Sequence, residues 1–443
     1  MTVFRRKIYD RMLQWKRERV GKTALLVQGA RRIGKSTVVE QFAKQEYESH
    51  IIIDFSKAPS EVFDLFKDIS DLDYLFLRLQ LIYHIQLIKR KSVIVFDEVQ
   101  QQPLARQAIK HLVKDGRYDY IETGSLISVK ASSVNIVLPS EETRIDMFPM
   151  DYEEFRWALG DTATIPLLQK AFDSKMPLGD IAHRQMMRDF RLYMLIGGMP
   201  QAVDEYLNTN NFAAVDRVKR DILNLYEDDL RKIDRSGRLS ALYDAIPAQL
   251  AHNRMRYKVS DVFSGRKETV SDAIETISDS MVANVAFNTS DPNVGMAQSK
   301  DTNRFKMFAC DTGLFVSLAF KDRDFVDNNI YEKLLRDKLH TNLGYVYENV
   351  VAQTLRTSGH QLYYHVMPKD DGKKYYEVDF LIADGHKISP IEVKSSGYIA
   401  HASLDAFADK YSSRIARKYL VYTKDYRQDS DTECIPVYMT QFL

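Results

Sequence analysis

A chain of 443 residues is longer than one ordinary core requires and leaves room for roughly two to four domains. Its residues are 45% hydrophobic and 28% charged, as in a globular protein, and 62 Lys+Arg against 61 Asp+Glu leave a net charge of +1, which excludes a globally basic nucleic-acid binder and makes any such surface local. Only Cys310 and Cys434 are cysteines, which excludes a disulfide framework, and no apolar run approaches the ~18 residues of a membrane helix, so cytoplasmic residence without a membrane partner is expected.

The first 22 residues are locally basic: Arg5, Arg6, Lys7, Arg11, Lys16, Arg17, Arg19 and Lys22 face only Asp10 and Glu18. Ile8, Met12 and Trp15 recur at helical spacing, so this stretch reads as an amphipathic helix burying those three, with a phosphate-binding patch as the alternative. Thr23 to Val27 is a β-branched and leucine run entering a glycine loop, followed by a helical pattern from Ser36 to Tyr47. Runs at His50 to Phe55, Ser92 to Phe96 and Tyr118 to Thr123, with helical stretches at Leu72 to Lys91 and Pro103 to Lys114 between them, continue the alternation; Arg144 to Phe148 adds a fifth candidate strand. Such alternation predicts a parallel sheet covered on both faces by helices.

From Asp151 to about Ala245 the pattern is helical, notably at Ile181 to Leu195 and Ala213 to Lys232, and broken at Gly197-Gly198-Met199-Pro200. Between Ile246 and Phe320, helical segments give way to β pieces near Met281 to Phe287 and Phe305 to Cys310, which suits a winged helix. Its recognition segment, Thr269 to Val285, carries Asp272, Glu275 and Asp279 and is flanked by Arg254, Arg256, Lys258, Arg266 and Lys267, so it suits a packing module as well as a DNA reader. The charged stretch Lys321 to Lys338 is the best linker. From Gly344 the pattern returns to α/β, with a helix through Tyr347 to Ser358 and strands near Gln361 to Met367, Tyr375 to Ala383, Ile388 to Lys394 and Lys418 to Tyr422.

Two motifs carry the chemistry of the first half. Gly29-Ala30-Arg31-Arg32-Ile33-Gly34-Lys35-Ser36, followed by Thr37, fits a P-loop and stands where one must, between a strand and a helix. Glycines let backbone N–H groups wrap phosphates, Lys35 reaches the β and γ oxygens, and the Ser36 hydroxyl is suited to magnesium. Val93-Ile94-Val95-Phe96-Asp97-Glu98 is an apolar strand ending in two acids, which are costly there unless they serve a cation. Asp97 is expected to hold magnesium through water and Glu98 to polarise the attacking water as general base. Thr123 and Ser125, in Glu122-Thr123-Gly124-Ser125, are candidates for sensing the γ-phosphate, or an ordinary turn. No guanine-specifying Asn-Lys-x-Asp motif is evident, and paired acids favour water over a substrate hydroxyl as nucleophile, so ATP and Mg2+ are the expected ligands, with a P-loop kinase or GTPase as the rival.

The loop GARRIGKS, the strand VIVFDEVQ and the turn ETGS together resemble a prokaryotic family of AAA-type P-loop ATPases with a C-terminal region of unknown function. LIGGMPQAV at Leu195 to Val203 and FACDTGL at Phe308 to Leu314 are similar to signatures of that family's lid and winged-helix regions. The resemblance implies that the sensor strand separates the P-loop strand from the strand ending in Asp97. Arg106, Arg117, Arg144 and several arginines of the following helical region are open candidates for an arginine finger.

A second acidic constellation lies near the C-terminus: Glu348 on a helix, Glu377-Val378-Asp379, and Glu392-Val393-Lys394. Strand alternation puts Glu392 and Lys394 on one face, and the set resembles the restriction-endonuclease-like fold. In an active nuclease Asp379 and Glu392 would ligate magnesium, Glu348 would assist, and Lys394 would stabilise or help generate the hydroxide.

The expected architecture is therefore α/β: an AAA-type P-loop three-layer sandwich over 1–150, a helical lid over 151–245, a winged-helix-like domain over 246–320, a linker over 321–343 and a restriction-endonuclease-like domain over 344–443. The expected function is an ATPase switch or motor coupled to the C-terminal domain, with nucleic acid and a protein as candidate partners. An ATP-gated metal-dependent nuclease and a non-catalytic nucleotide-binding scaffold are the alternatives, and the oligomeric state is open.

Overall fold

The strands expected in the first 150 residues become β1 (Ala24–Gln28), β2 (Ser49–Asp54), β3 (Ser92–Asp97), β4 (Asp119–Gly124) and β5 (Glu142–Asp146, two residues before the expected Arg144 to Phe148), joined in one parallel sheet of order β2-β3-β4-β1-β5. The computed structural model describes residues 2–19, 21–125, 139–251, 255–263, 267–321, 335, 344–369, 372, 374–396 and 401–443. They form two compact units, 1–148 with 279–281, and 149–278 with 282–443.

In the first unit every residue of β1, β3 and β4 is buried, as expected of parallel strands covered on both faces. One face packs Ile51, Ile53, Ile94, Phe96 and Tyr120 against the helices Ser60–Leu65, Leu72–Tyr83 and Pro103–Asp115. The helix Lys35–Glu46 packs against β2, β3 and β4 and carries the N-terminal helix Ile8–Arg19 beside it, Tyr9 meeting Phe42 edge to face. Ile8, Met12 and Trp15 are the buried residues of that N-terminal helix. Strand β4 lies between β1 and β3, the order implied by the family resemblance. The helix expected over Leu72 to Lys91 stops at Tyr83, because His84 turns into the left-handed region (φ 54°) and returns its N–H to the Gln80 carbonyl.

The second unit begins with seven helices: Tyr152–Ala158, Thr164–Asp173, Asp180–Ile196, Pro200–Thr209, Phe212–Ile233, Arg238–Asp244 and Ile246–Ala251. The helix Lys267–Ser280 follows, then β6 (Ala283–Thr289) and β7 (Lys300–Ala309) as an antiparallel pair and the helix Thr312–Ala319. Asp272 and Glu275 are exposed on Lys267–Ser280, and Arg256 and Lys258 are exposed before it. Arg254, Arg266 and the Lys267 side chain lie outside the described residues, as does the expected linker apart from residues 321 and 335.

After the helix Gly344–Thr357 come β8 (Tyr363–Pro368), β9 (Tyr375–Asp384), β10 (Lys387–Lys394), the helix Ala402–Tyr411, β11 (Lys418–Tyr422), β12 (Arg427–Asp429) and β13 (Thr432–Pro436). They do not form a sheet of their own. Parallel pairing of Phe287 with Tyr363 and Asn288 with Tyr364 ties β6 to β8, giving one eight-stranded sheet of order β12-β13-β11-β10-β9-β8-β6-β7. Strands from the segment expected to be winged-helix-like thus share a sheet with those from the segment expected to be endonuclease-like.

The two glycine motifs of the sequence meet inside this unit. Gly197 ends Asp180–Ile196 with φ 84°, and a Cβ on Gly198 would lie 1.9 Å from the Met150 carbonyl oxygen. The Gly198 N–H donates to Asp311 (2.5 Å), whose carboxylate also accepts from Leu314 N–H (2.9 Å) and so caps Thr312–Ala319. Buried Lys219 donates to the carbonyls of Leu195 (2.8 Å) and Gly313 (3.1 Å).

Candidate functional sites

The glycine loop leaves β1 at Gly29, where a Cβ would lie 2.3 Å from the Met147 carbonyl oxygen, so only glycine fits. Arg32 (φ 68°) and Gly34 (φ 93°) then bring the chain through the left-handed region into the helix Lys35–Glu46. Ala30 and Ile33 are buried, whereas Arg31 and Arg32 face outward. The helix starts on Gly34 with no side-chain cap and no acid in its first turn, which leaves its N–H groups and positive end suited to an anion.

Lys35 is buried and donates to the carbonyls of Gly29 (3.1 Å) and Ala30 (2.8 Å). Burial pushes its pKa down to about 8, although the Glu98 and Asp97 carboxylates oppose the fall. The Ser36 hydroxyl donates to Asp97 Oδ1 (2.8 Å), and the Thr123 hydroxyl donates to the same oxygen. The Glu98 N–H reaches Thr123 Oγ1 (3.4 Å). Loop serine, strand-end acid and sensor threonine are therefore one hydrogen-bonded group. Glu98 sits in the left-handed region (φ 54°), and its Oε2 accepts from Gln100 Nε2 at 2.5 Å. Thr37 follows on the first turn of the helix, and Ser125 lies one residue beyond β4, outside this network among the described residues.

These groups fit a nucleotide triphosphate with magnesium. The uncapped helix start and Lys35 supply positive charge, and the Ser36 hydroxyl and Asp97 carboxylate lie within hydrogen-bonding distance, as a shared cation requires.

Arg6, which reads in the sequence as one of many basic residues, is buried and donates to the Ile33 carbonyl inside the loop (2.7 Å) and to the Phe148 carbonyl (2.6 Å). It positions the loop from 27 residues away, and no local pattern signals that. Among the finger candidates, Arg106 is 3% exposed and ion-paired with buried Glu142 (3.1 Å), so it is unavailable to a neighbouring molecule. Arg144 also binds Glu142 (2.6 Å), and Arg117 is held by Asp115 and Asp73.

The C-terminal constellation gathers around a residue that sequence reasoning missed. Lys306, on β7, is buried with its ammonium on Glu377 and 3.7 Å from Glu348. Asp379 Oδ2 accepts the Val393 N–H (2.8 Å) on β10, and Glu392 and Lys394, expected on one face, are ion-paired at 2.9 Å. Burial pulls the Lys306 pKa down, but Glu377, Glu348 and Asp379 together outweigh it and hold the ammonium above its ordinary value. Burial pushes Glu348 up to about 7 and raises Glu377, Asp379 and Glu392. Among the described residues no three acidic, histidine or cysteine side chains converge as a metal ion requires. No described helix is long and apolar enough to cross a membrane.

Residues 21–156 match a family described as AAA domain. Residues 187–324 and 343–441 match two families described as domains of unknown function, DUF8612 and DUF4143. No curated relative matches. Among solved structures, the chain is similar to a Signal Transduction ATPase with Numerous Domains bearing a tetratricopeptide repeat sensor from Pyrococcus horikoshii, at 11% identity and TM-score 0.29 over 81% of this chain and 46% of that one. It thus spans about half the length of that protein. It is also similar to Drosophila ORC bound to DNA (11% identity, TM-score 0.28, 66% of this chain and 89% of that one) and to Cdc6p from Pyrobaculum aerophilum (13%, 0.26, 76% and 97%). At such TM-scores these likenesses carry neither fold nor function, and the assignment of the first unit rests on the matched family and the strand order.

Proposed function

Because residues 21–156 are an AAA-type P-loop domain, we propose that the chain is a magnesium-dependent ATPase acting as a nucleotide-driven switch or motor coupled to its C-terminal domain. The observation that carries this reading is the joining of Ser36, Asp97 and Thr123 in one hydrogen-bonded group beside Lys35. In this proposal Gly29, Ala30, Arg31, Arg32, Ile33, Gly34, Lys35, Ser36 and Thr37 hold the nucleotide, with backbone N–H groups and Lys35 directed at the phosphates. Ser36 and Asp97 hold the magnesium, which when bound neutralises charge on the phosphate oxygens. Glu98 is the general base, released from Gln100 to orient a water, and Thr123 senses the γ-phosphate.

The test is ATP turnover by the purified chain. We expect turnover that needs magnesium and is abolished in Lys35→Ala; turnover that is absent in the wild type, or unchanged in the variant, overturns the proposal. Trapped nucleotide without turnover would favour a binding scaffold instead.

The finer part of the reading takes residues 344–443 as endonuclease-like, with Glu348, Asp379, Glu392 and Lys394 as its site and nucleic acid as partner. Its support is the adjacency of those four residues. A binding and cleavage panel with and without ATP, comparing wild type with Asp379→Ala, tests it separately.

A further inference from the structure

The acidic constellation already contains a cation, and the chain supplies it. Glu348, Glu377, Asp379 and Glu392 place four carboxylates in a partly buried neighbourhood that offers two ammonium groups, Lys306 and Lys394. Carboxylates taken out of water need positive charge and hydrogen bonds. Lys394 is ion-paired with Glu392 through Oε1 and lies close enough to Asp379 and Glu348 to feel their charge, while Glu392 Oε2 is buried without a hydrogen-bond partner and the residue is 5% exposed. Lys306 answers Glu377 and Glu348 and lies close enough to Asp379 to feel its charge. The ammonium sits where those carboxylates face one another. A divalent ion bound there would need several carboxylate oxygens at about 2.0–2.6 Å around a single point, and the Lys306 ammonium takes up that space.

We propose that Lys306 is a built-in counter-cation that stands in the place of a divalent metal ion, so that the cluster loads metal only when this ammonium is withdrawn. The lysine comes from outside the matched region 343–441, on β7, the edge strand of the sheet. Residues 300–304 of that strand are largely exposed and 305–309 are buried, so Lys306 is close to the point where the strand enters the core. The strand itself is anchored, by the Tyr257 N–H on the Phe305 carbonyl, the Phe308 ring on Phe380 and the Asn349 amide on Ala309, so withdrawal of the ammonium is a movement of the Lys306 side chain. The inference takes the cluster from the endonuclease-like reading but not its cleavage, so a chain that cuts nothing leaves it standing. Likewise, its failure leaves the ATPase proposal untouched.

The probe is Mn2+, followed by loss of the free-ion electron paramagnetic resonance signal, with the full chain and no nucleotide. All variants carry Asp97→Ala so that the first unit does not contribute. We expect Lys306→Met to gain one Mn2+ per chain, bound at least about tenfold more tightly than in the parent. Adding Asp379→Asn should remove that gain, and Lys306→Arg, which keeps the charge, should behave as the parent. Since Lys306→Met leaves carboxylates facing one another, Lys306→Met with Glu377→Gln relieves the repulsion and should show the same gain, with folding checked by circular dichroism. A parent that binds Mn2+ as tightly as Lys306→Met, or a folded Lys306→Met or Lys306→Met/Glu377→Gln chain that gains none, overturns the proposal.

Discussion

Lys35 and Lys219 pose the same chemical problem in two regions of the molecule. Each is buried, each donates to two backbone carbonyls, and burial pushes each pKa down to about 8 against nearby acids. Each also stands beside glycines and the start of a helix. The difference lies in what occupies that helix start. At Thr312–Ala319 the chain's own Asp311 caps the helix, and Gly197, Gly198 and Gly313 are closed by Asp311, Met150 and Ile196. At Lys35–Glu46 no side chain caps it. A lysine beside a glycine turn is therefore a latch when the protein provides the anion, and a binding group when the anion must arrive from outside.

The sharpest way to break this comparison is to remove the latch. Lys219→Met should cost about 3–5 kcal/mol of stability, because it leaves buried Asp311 without its nearby cation and two carbonyls without a donor. Urea denaturation measures it, and a cost under about 1 kcal/mol would sink the latch. Lys35→Ala should instead lower ATP turnover by about a hundredfold or more while the urea midpoint barely moves. Gly198→Ala should cost roughly 2 kcal/mol through its clash with the Met150 carbonyl, with the KM for ATP unaltered. Thr123→Val removes one donor to Asp97, and a fall in turnover of about tenfold, or 1.4 kcal/mol, is expected.

The smallest effect separates the two lysines by protons. Below pH 8 Lys35 is charged in both the folded and unfolded chain, and the penalty of its burial is fully present. As pH rises from about 8 toward its ordinary value, the folded chain loses the proton first, so its contribution to stability improves. A bound triphosphate would reverse the depression. Binding at pH 9 should then take up roughly one proton, and the Lys35 contribution to affinity should fade as pH rises through 8. Calorimetry in two buffers of different ionisation enthalpy reads this, and Lys35→Met should abolish it whereas uptake in Lys219→Met should persist.

The P-loop sheet was legible because its signals are local: β1, β2 and β3 hold short apolar runs, and the strands carrying chemistry end in Gly29, in Asp97-Glu98 or at Thr123. The order of those strands came from family resemblance and not from periodicity. Arg6 and Lys306 were not legible, since each reads as one more basic residue. Their partners lie far along the chain, at Ile33 and Phe148 for one and at Glu348 and Glu377 for the other. The union of β6 with β8 was equally hidden, because it rests on two residue pairs and leaves no mark on the alternation of either strand. Asp311 looked like part of a signature, and its capping of one helix while holding Gly198 emerges only when both motifs are in place.

The shared sheet has a practical edge. Dividing the polypeptide between Ala319 and Gly344 to isolate the last hundred residues would strip β8 of its β6 neighbour and deprive Asn349 and Gln353 of their partners at Ala309 and Thr312. The severed fragment would present raw strand to solvent and tend to stick to itself. Inactivity in such a piece would speak of insolubility rather than chemistry, so experiments on the C-terminal cluster belong in the intact polypeptide.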